Sequence, residues 1–168
     1  MSVRLRPMRW WDIEPVIALE QELFPEDAWS RGMFWSELAD TGPEGTRHYT
    51  VAELDGALVG YAGLMAIGVE GDVQTIAVAP GHQGAGLGAR LLTDLIDESA
   101  RRGCTELLLE VRVDNLGAQR LYERHGFEPV GIRRGYYQPA NVDALVMRLD
   151  DPGLDDPRLD NPKERQHG

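Results

Sequence analysis

Apolar residues recur along this chain with two different periods, and the switches between them mark out its elements. Residues 3–6 alternate apolar and charged positions, the period of a short strand with one buried face. Asp12 stands where a cap belongs, before a helical stripe running to about Phe24, and Ser30 stands likewise before a helix over about 31–39. Residues 49–54 and 57–67 return to strand patterning on either side of Asp55-Gly56, a two-residue hairpin signal. A further strand is predicted over about 72–78. From Leu87 onward apolar residues fall at 87, 91, 92, 95, 96 and 100, one helical stripe that stops at Gly103. Residues 106–111 are almost continuously apolar, which predicts a strand buried on both faces. A helix over about 116–125 ends at Gly126, and strands follow near 128–133 and 144–149.

This order is strand, two helices, three antiparallel strands, helix, strand, helix and two strands. It predicts one mixed α/β (α+β) domain over residues 1–150, with a central sheet of about seven strands and about four helices. Residues 151–168 differ. Two Asp-Pro-x-Leu-Asp units and a further Pro162 block both helix and ladder, and two leucines cannot support a core. This acidic tail is expected to be disordered.

Composition narrows the function classes. The 168 residues carry a net charge of −11, only partly from the tail, which argues against a nucleic-acid backbone as partner and suits a cationic substrate. No stretch approaches eighteen apolar residues and no signal segment is visible, so a cytoplasmic protein without membrane contact is expected. The single cysteine, Cys104, agrees with a reducing compartment and reads as a buried thiol. The four histidines lack metal-ligand spacing, so no metal is expected.

The most chemically specific segment is Ile76-Ala77-Val78-Ala79-Pro80-Gly81-His82-Gln83-Gly84-Ala85-Gly86-Leu87-Gly88-Ala89. A strand that empties through glycines into a helix N-terminus presents free backbone N–H groups and the positive end of a helix dipole, a site for phosphate. A Walker loop would need Lys-Ser or Lys-Thr after the last glycine, but Ala89-Arg90 follows and the only lysine is Lys163. A dinucleotide fingerprint fits Gly84-x-Gly86-x-x-Ala89 loosely, with Glu110 about twenty residues on. The hairpin in front of the loop and the lack of a second mononucleotide half count against it. Gln83-x-x-Gly86-x-Gly88 is the third possibility, the pyrophosphate loop of acetyl-CoA-dependent acetyltransferases.

The whole pattern resembles the GNAT family of N-acetyltransferases. It runs in order from Ile76–Val78 through Gln83–Gly88, Leu109-Glu110-Val111-Arg112, Asn115 and Leu121-Tyr122 to Gly126-Phe127. Leu-Glu-Val-Arg at 109–112, Leu-Tyr-Glu at 121–123 and Tyr136-Tyr137 after Arg133-Arg134 make it most similar to the RimI-type enzymes. Those acetylate the N-terminal alanine of a ribosomal protein. The resemblance implies a GNAT fold whose middle strands splay apart, with acetyl-CoA as co-substrate. It implies that Ile76, Ala77 and Val78 line the pantetheine arm, that Gln83, Gly84, Ala85, Gly86, Leu87, Gly88 and Ala89 form the pyrophosphate loop, and that Asn115 touches the pantetheine.

Two residues are candidates for the chemistry. An α-amine is mostly protonated at neutral pH, so attack on a thioester needs a base. Glu110, at the end of an apolar strand, would take that role by the resemblance; otherwise it is a strand-end acid paired with Arg112 or Arg120. Tyr122 would protonate the departing thiolate; otherwise it is a core aromatic. Tyr136 and Tyr137, expected in the loop between the last two strands, would close over the acceptor; Glu26 and Asp27, in the facing loop between the first two helices, would hold a basic second residue of the peptide, or otherwise are solvated loop acids. His82 and Arg90 flank the phosphate loop and could meet the cofactor. Trp10 and Trp11 read as packing residues. The expected function is acetylation of a protein N-terminus, an N-terminal alanine of a ribosomal protein, by a monomer. A lysine side chain or small amine as acceptor, or a CoA-binding module without turnover, are the competing readings.

Overall fold

The computed structural model describes residues 2–152, so the tail expected to be disordered lies outside the described residues beyond Pro152. Seven strands form one sheet in the order β1-β2-β3-β4-β5-β7-β6. They are β1 (Arg4–Pro7), β2 (Arg47–Leu54), β3 (Ala57–Ile67), β4 (Glu70–Val78), β5 (Glu106–Arg112), β6 (Glu128–Tyr137) and β7 (Val142–Asp150). The helices are α1 (Ile13–Leu23), α2 (Arg31–Leu38), α3 (Leu87–Arg101) and α4 (Leu116–Arg124). Neighbouring strands are antiparallel except β4 and β5, which α3 joins as a parallel crossover. Among the described residues no helix is long and apolar enough to cross a membrane.

Local chemistry accounts for most boundaries. Asp55 and Gly56 both take positive φ, +52° and +82°, as the predicted tight turn requires. Ser30 caps α2 by accepting the Met33 N–H at 3.2 Å, and Gly103 and Gly126 close α3 and α4 in the left-handed conformation. Asp12 departs from its expected role. A short 3-10 turn over Trp10–Asp12 precedes α1, and the Asp12 side chain makes no cap bond to that helix. It is buried instead, accepting two bonds from the Arg6 guanidinium and one from the Arg9 N–H, each at 2.8 Å.

The two faces of the sheet bury separate clusters. On one, Leu87, Leu91, Leu92 and Leu95 of α3 and Tyr122 of α4 pack against Leu64, Leu107, Leu109 and Met147. Each fully buried leucine contributes roughly 1.5–3 kcal/mol, enough to fix α3 and thus the glycine loop that leads into it. On the other, Val16, Ile17 and Leu19 of α1 and Phe34 of α2 pack against Tyr49, Val51, Tyr61 and Ala77.

These helices lie over β2 and β3, which explains a second departure. Strand β5 is not buried on both faces: Leu107, Leu109 and Val111 are buried, while Leu108, Glu110 and Arg112 are half-exposed. The apolar run hid an alternating strand with one accessible face. Trp10 and Trp11 are also misjudged as packing residues. They are 61% and 57% exposed and meet each other edge-on at the surface, where Trp10 also stacks on Trp35.

The Arg6–Asp12 pair ties β1 to the entry of α1 and yields a stability prediction. Burial pushes the Asp12 carboxyl up, but the Arg6 bonds and the Arg9 N–H outweigh it and hold it below the usual carboxylate range. A depressed acid stabilises the fold above its unfolded pKa of about 3.9 and loses that contribution as pH falls through the folded value. Asp12→Asn is expected to cost about 2 kcal/mol at pH 7 in urea unfolding, with the gap to wild type closing below about pH 4.

Candidate active site

At the end of β4 the chain passes through a 3-10 turn over Pro80–His82 and then the glycine loop. The Gln83 side chain reaches back to donate to the Val78 carbonyl at 3.1 Å, pinning the loop to the strand end. Gly84 and Gly86 have φ of +82° and +84°, a left-handed backbone that side chains resist. Leu87 turns its side chain into the core and offers the site only its backbone. The first N–H groups of a helix have no partner within it, so residues 84–89 present donors and the positive dipole end together. Arg90 points elsewhere, donating to the Val3 carbonyl at 2.9 Å.

Beside this loop the sheet opens. Strands β4 and β5 pair only at Glu70↔Glu106, Gly71↔Leu107 and Asp72↔Leu108. The register between β3 and β4 shifts just beyond, leaving Gln74 opposite the step between Gly63 and Leu64. Such a bulge bends its strand. Strand β4 follows β3 to Gly60↔Val78, whereas β5 follows β7 to Arg112↔Ala144. Ile76, Ala77 and Val78 therefore lie on one edge of a wedge and Glu110 on the other.

Glu110 faces the uncovered side of the sheet. Its partner is neither Arg112 nor Arg120 but Arg133 of β6, with Nη1 3.4 Å from Oε1. Arg112 instead pairs with Asp114 at 3.1 Å. Tyr122 is 6% exposed and meets Phe127 edge-on at 5.9 Å. Burial pushes its phenol up to about 12, so it is fully protonated at neutral pH. Asn115 caps α4: its Oδ1 accepts the Ala118 N–H at 3.1 Å.

The tyrosine pair is not in a loop, since β6 continues through Tyr137, with an irregular register between Arg133 and Tyr137. The rings meet edge-on at 5.1 Å, with Arg133 over Tyr136 at 5.4 Å and Arg112 over Tyr137 at 5.6 Å. Burial raises both phenols, and the charge of Glu110 raises both further. Tyr137 also feels Tyr122 and Asp27. Glu110, Tyr136 and Tyr137 thus gather around Arg133. Glu26 and Asp27 are the last two residues of a turn closed by the Asp27 N–H on the Phe24 carbonyl at 3.2 Å, with Pro25 in its favoured second position. The charges of both acids reach Arg112, after its bonded partner Asp114, which sets this loop toward the Arg112 end of β5.

Two members of the cleft escaped the sequence reading. Arg133 sits in a strand whose register cannot be foreseen. Asp72 is raised by burial and then by the charge of Glu110, with Arg133 opposing. Asp72 lies in no motif, and Arg133 entered only as a residue preceding the tyrosine pair, with no role assigned; a charged residue on the accessible face of a sheet was the available signal.

The Acetyltransferase (GNAT) family pattern matches residues 10–127. The chain is 43% identical over 144 residues to the N-alpha-acetyltransferase RimI of Mycobacterium tuberculosis, covering 83% of this chain and 87% of that protein. It is 40% identical over 118 residues to the ribosomal protein bS18-alanine N-acetyltransferase of Salmonella typhimurium, covering 68% and 80%. The crystal structure of the ribosomal-protein-S18-alanine N-acetyltransferase from Escherichia coli superposes with a TM-score of 0.77 at 32% identity, over 89% of this chain and 94% of that one. With the splayed strands, the glycine loop and this match over most of its length, the chain belongs to the GNAT acetyltransferase family.

Proposed function

We propose that this protein transfers acetyl from acetyl-CoA to the N-terminal α-amine of a protein, with an N-terminal alanine of a ribosomal protein as acceptor. The observation that carries the reading is the parting of β4 and β5 beside the glycine loop, with Glu110 on the β5 side, in a chain whose relatives are named for that reaction.

The residues present suit acetyl-CoA. Left-handed Gly84 and Gly86 and the N-terminus of α3 would hold the pyrophosphate through backbone N–H groups. The unpaired edge at Ile76, Ala77 and Val78 would hold the pantetheine amides as a neighbouring strand would, with Asn115 from the other side. Acetyl-CoA supplies an activated acyl carbon and a thiolate leaving group.

Glu110 takes a proton from the acceptor ammonium, freeing the nitrogen to form its bond to the acyl carbon as the carbon–sulfur bond breaks. Tyr122, held protonated by its burial, gives its phenolic proton to the departing sulfur. As the amide forms, the attacking nitrogen loses its second proton, which returns to the Tyr122 phenolate, and Glu110 releases its own to solvent, so the protons balance with no acyl-enzyme. Arg133 occupies Glu110 in the absence of an acceptor, and the incoming ammonium takes its place as the cation beside that carboxylate. Tyr136 and Tyr137 from β6, and Glu26 and Asp27 opposite, frame the acceptor. The acidic wall suits a peptide with basic residues near its start.

Three outcomes test this reading. Glu110→Gln is expected to lower kcat by about 10²–10⁴ with acetyl-CoA affinity unchanged, and Tyr122→Phe by about 10², in a CoA-release assay. An Ala-starting peptide is expected to be acetylated while its N-terminally blocked, lysine-containing twin is not; acetylation of the twin would move the assignment to a side-chain acceptor. Gly86→Ala forces a side chain into the left-handed region at a cost of about 1–3 kcal/mol. It should weaken acetyl-CoA binding in calorimetry, with little change in peptide specificity.

A further inference from the structure

Glu20 is an ionisable residue in the core that the chemistry above does not use. It lies on the inner side of α1, 3% exposed. Burying a carboxylate is costly unless its oxygens are bonded, and here both are. Oε2 accepts the Trp29 backbone N–H at 2.9 Å, and Oε1 accepts the Tyr61 hydroxyl. Burial pushes the Glu20 carboxyl up, the two bonds oppose it, and Asp27 adds a further push upward.

The two donors belong to the 24–30 loop and to β3, the strand that carries β4. Trp29 closes the loop over residues 24–30 that carries Glu26 and Asp27. Tyr61 lies on β3 directly across from Ala77 of β4, on the strand that borders the wedge. The Trp29 ring packs on Phe34 at 5.2 Å, and Phe34 meets Tyr61 edge-on at 6.0 Å. Ring packing is non-directional and holds the indole in place without fixing the backbone beneath it. The bond from Glu20 to the Trp29 N–H supplies that direction. It fixes the chain two residues after Asp27, the acid whose charge reaches Tyr137 and Arg112 across the cleft.

We propose that Glu20 is a positioning residue for the acceptor: its buried carboxylate fixes the backbone of the 24–30 loop, and through it the wall that meets the acceptor peptide. This rests on the reading of the cleft as a peptide N-terminus site. Glu20 touches neither substrate. It acts through the loop, which couples acceptor binding to β3 and β4 without altering the loop that would hold the pyrophosphate.

The test combines amide hydrogen exchange with steady-state kinetics on the full chain, using acetyl-CoA and an Ala-starting peptide. Glu20→Ala is expected to speed exchange over residues 24–30 and to raise the peptide KM by about tenfold, with the acetyl-CoA KM within about twofold of wild type. Glu20→Gln keeps an oxygen for the Trp29 N–H and is expected to restore most of the peptide KM. Unchanged exchange over the loop in Glu20→Ala overturns the proposal, as does a loosened loop with unchanged peptide KM. Equal rises in both KM values, with a lowered Tm in both variants, would mark Glu20 as a fold residue and also overturn it. If the wild type fails to acetylate the peptide, the functional reading fails instead, and the exchange arm still decides the loop contact.

Discussion

Strands β4 and β5 are parallel neighbours for three residue pairs and then part, and the rest of the site follows from that separation. A strand that leaves its partner exposes backbone N–H and C=O groups that must be satisfied by something else. Here the separation is built in from both sides. The irregular step opposite Gly63 and Leu64 bends β4 just past Asp72, and continuous pairing with β7 keeps β5 from following. The α3 crossover cannot close the gap, because four buried leucines fix it to the sheet. The molecule therefore carries a permanent slot with a strand edge on one side and a carboxylate on the other. An extended chain of amides ending in a thioester would fill such a slot.

The electrostatics of the cleft depend on the same geometry. Helices α1 and α2 cover β2 and β3, so the face of β5 that bears Glu110 stays open to β6 and to the 24–30 loop. Acids and bases alternate around the opening: Asp72 and Glu110, then Arg133 and Arg112, then Glu26 and Asp27. Tyr122 is set apart from them, buried among apolar neighbours, where a phenol keeps its proton. The proposed proton acceptor and the proposed proton donor are thus placed in environments of opposite character.

Much of this was legible in the sequence wherever local chemistry decides. The Asp55-Gly56 turn, the Ser30 cap, the leucine stripe of α3 and the glycine turn leading into it are dictated within a few residues, and they stand as expected. What failed depended on partners distant in the chain. Asp12 looked like a helix cap because the sequence does not show that Arg6 returns beside it. Residues 106–111 looked buried on both faces because an apolar run does not reveal that helices cover only one of them. Tyr136 and Tyr137 looked like loop residues because pairing with β7 extends β6 beyond its propensity signal. The Glu110–Arg133 and Glu20–Trp29 contacts needed the assembled sheet and the folded loop before they existed at all.

The central claim is that the open edge of β4 is a binding edge, completed by the arm of coenzyme A. Amide hydrogen exchange of the free protein, repeated with saturating CoA, measures this directly. The account predicts that amides of residues 73–78 not already bonded to β3 exchange quickly in the free protein. They should become strongly protected when CoA is added, together with those of residues 84–89. Protection confined to residues 84–89, with the β4 edge exchanging as before, would contradict it.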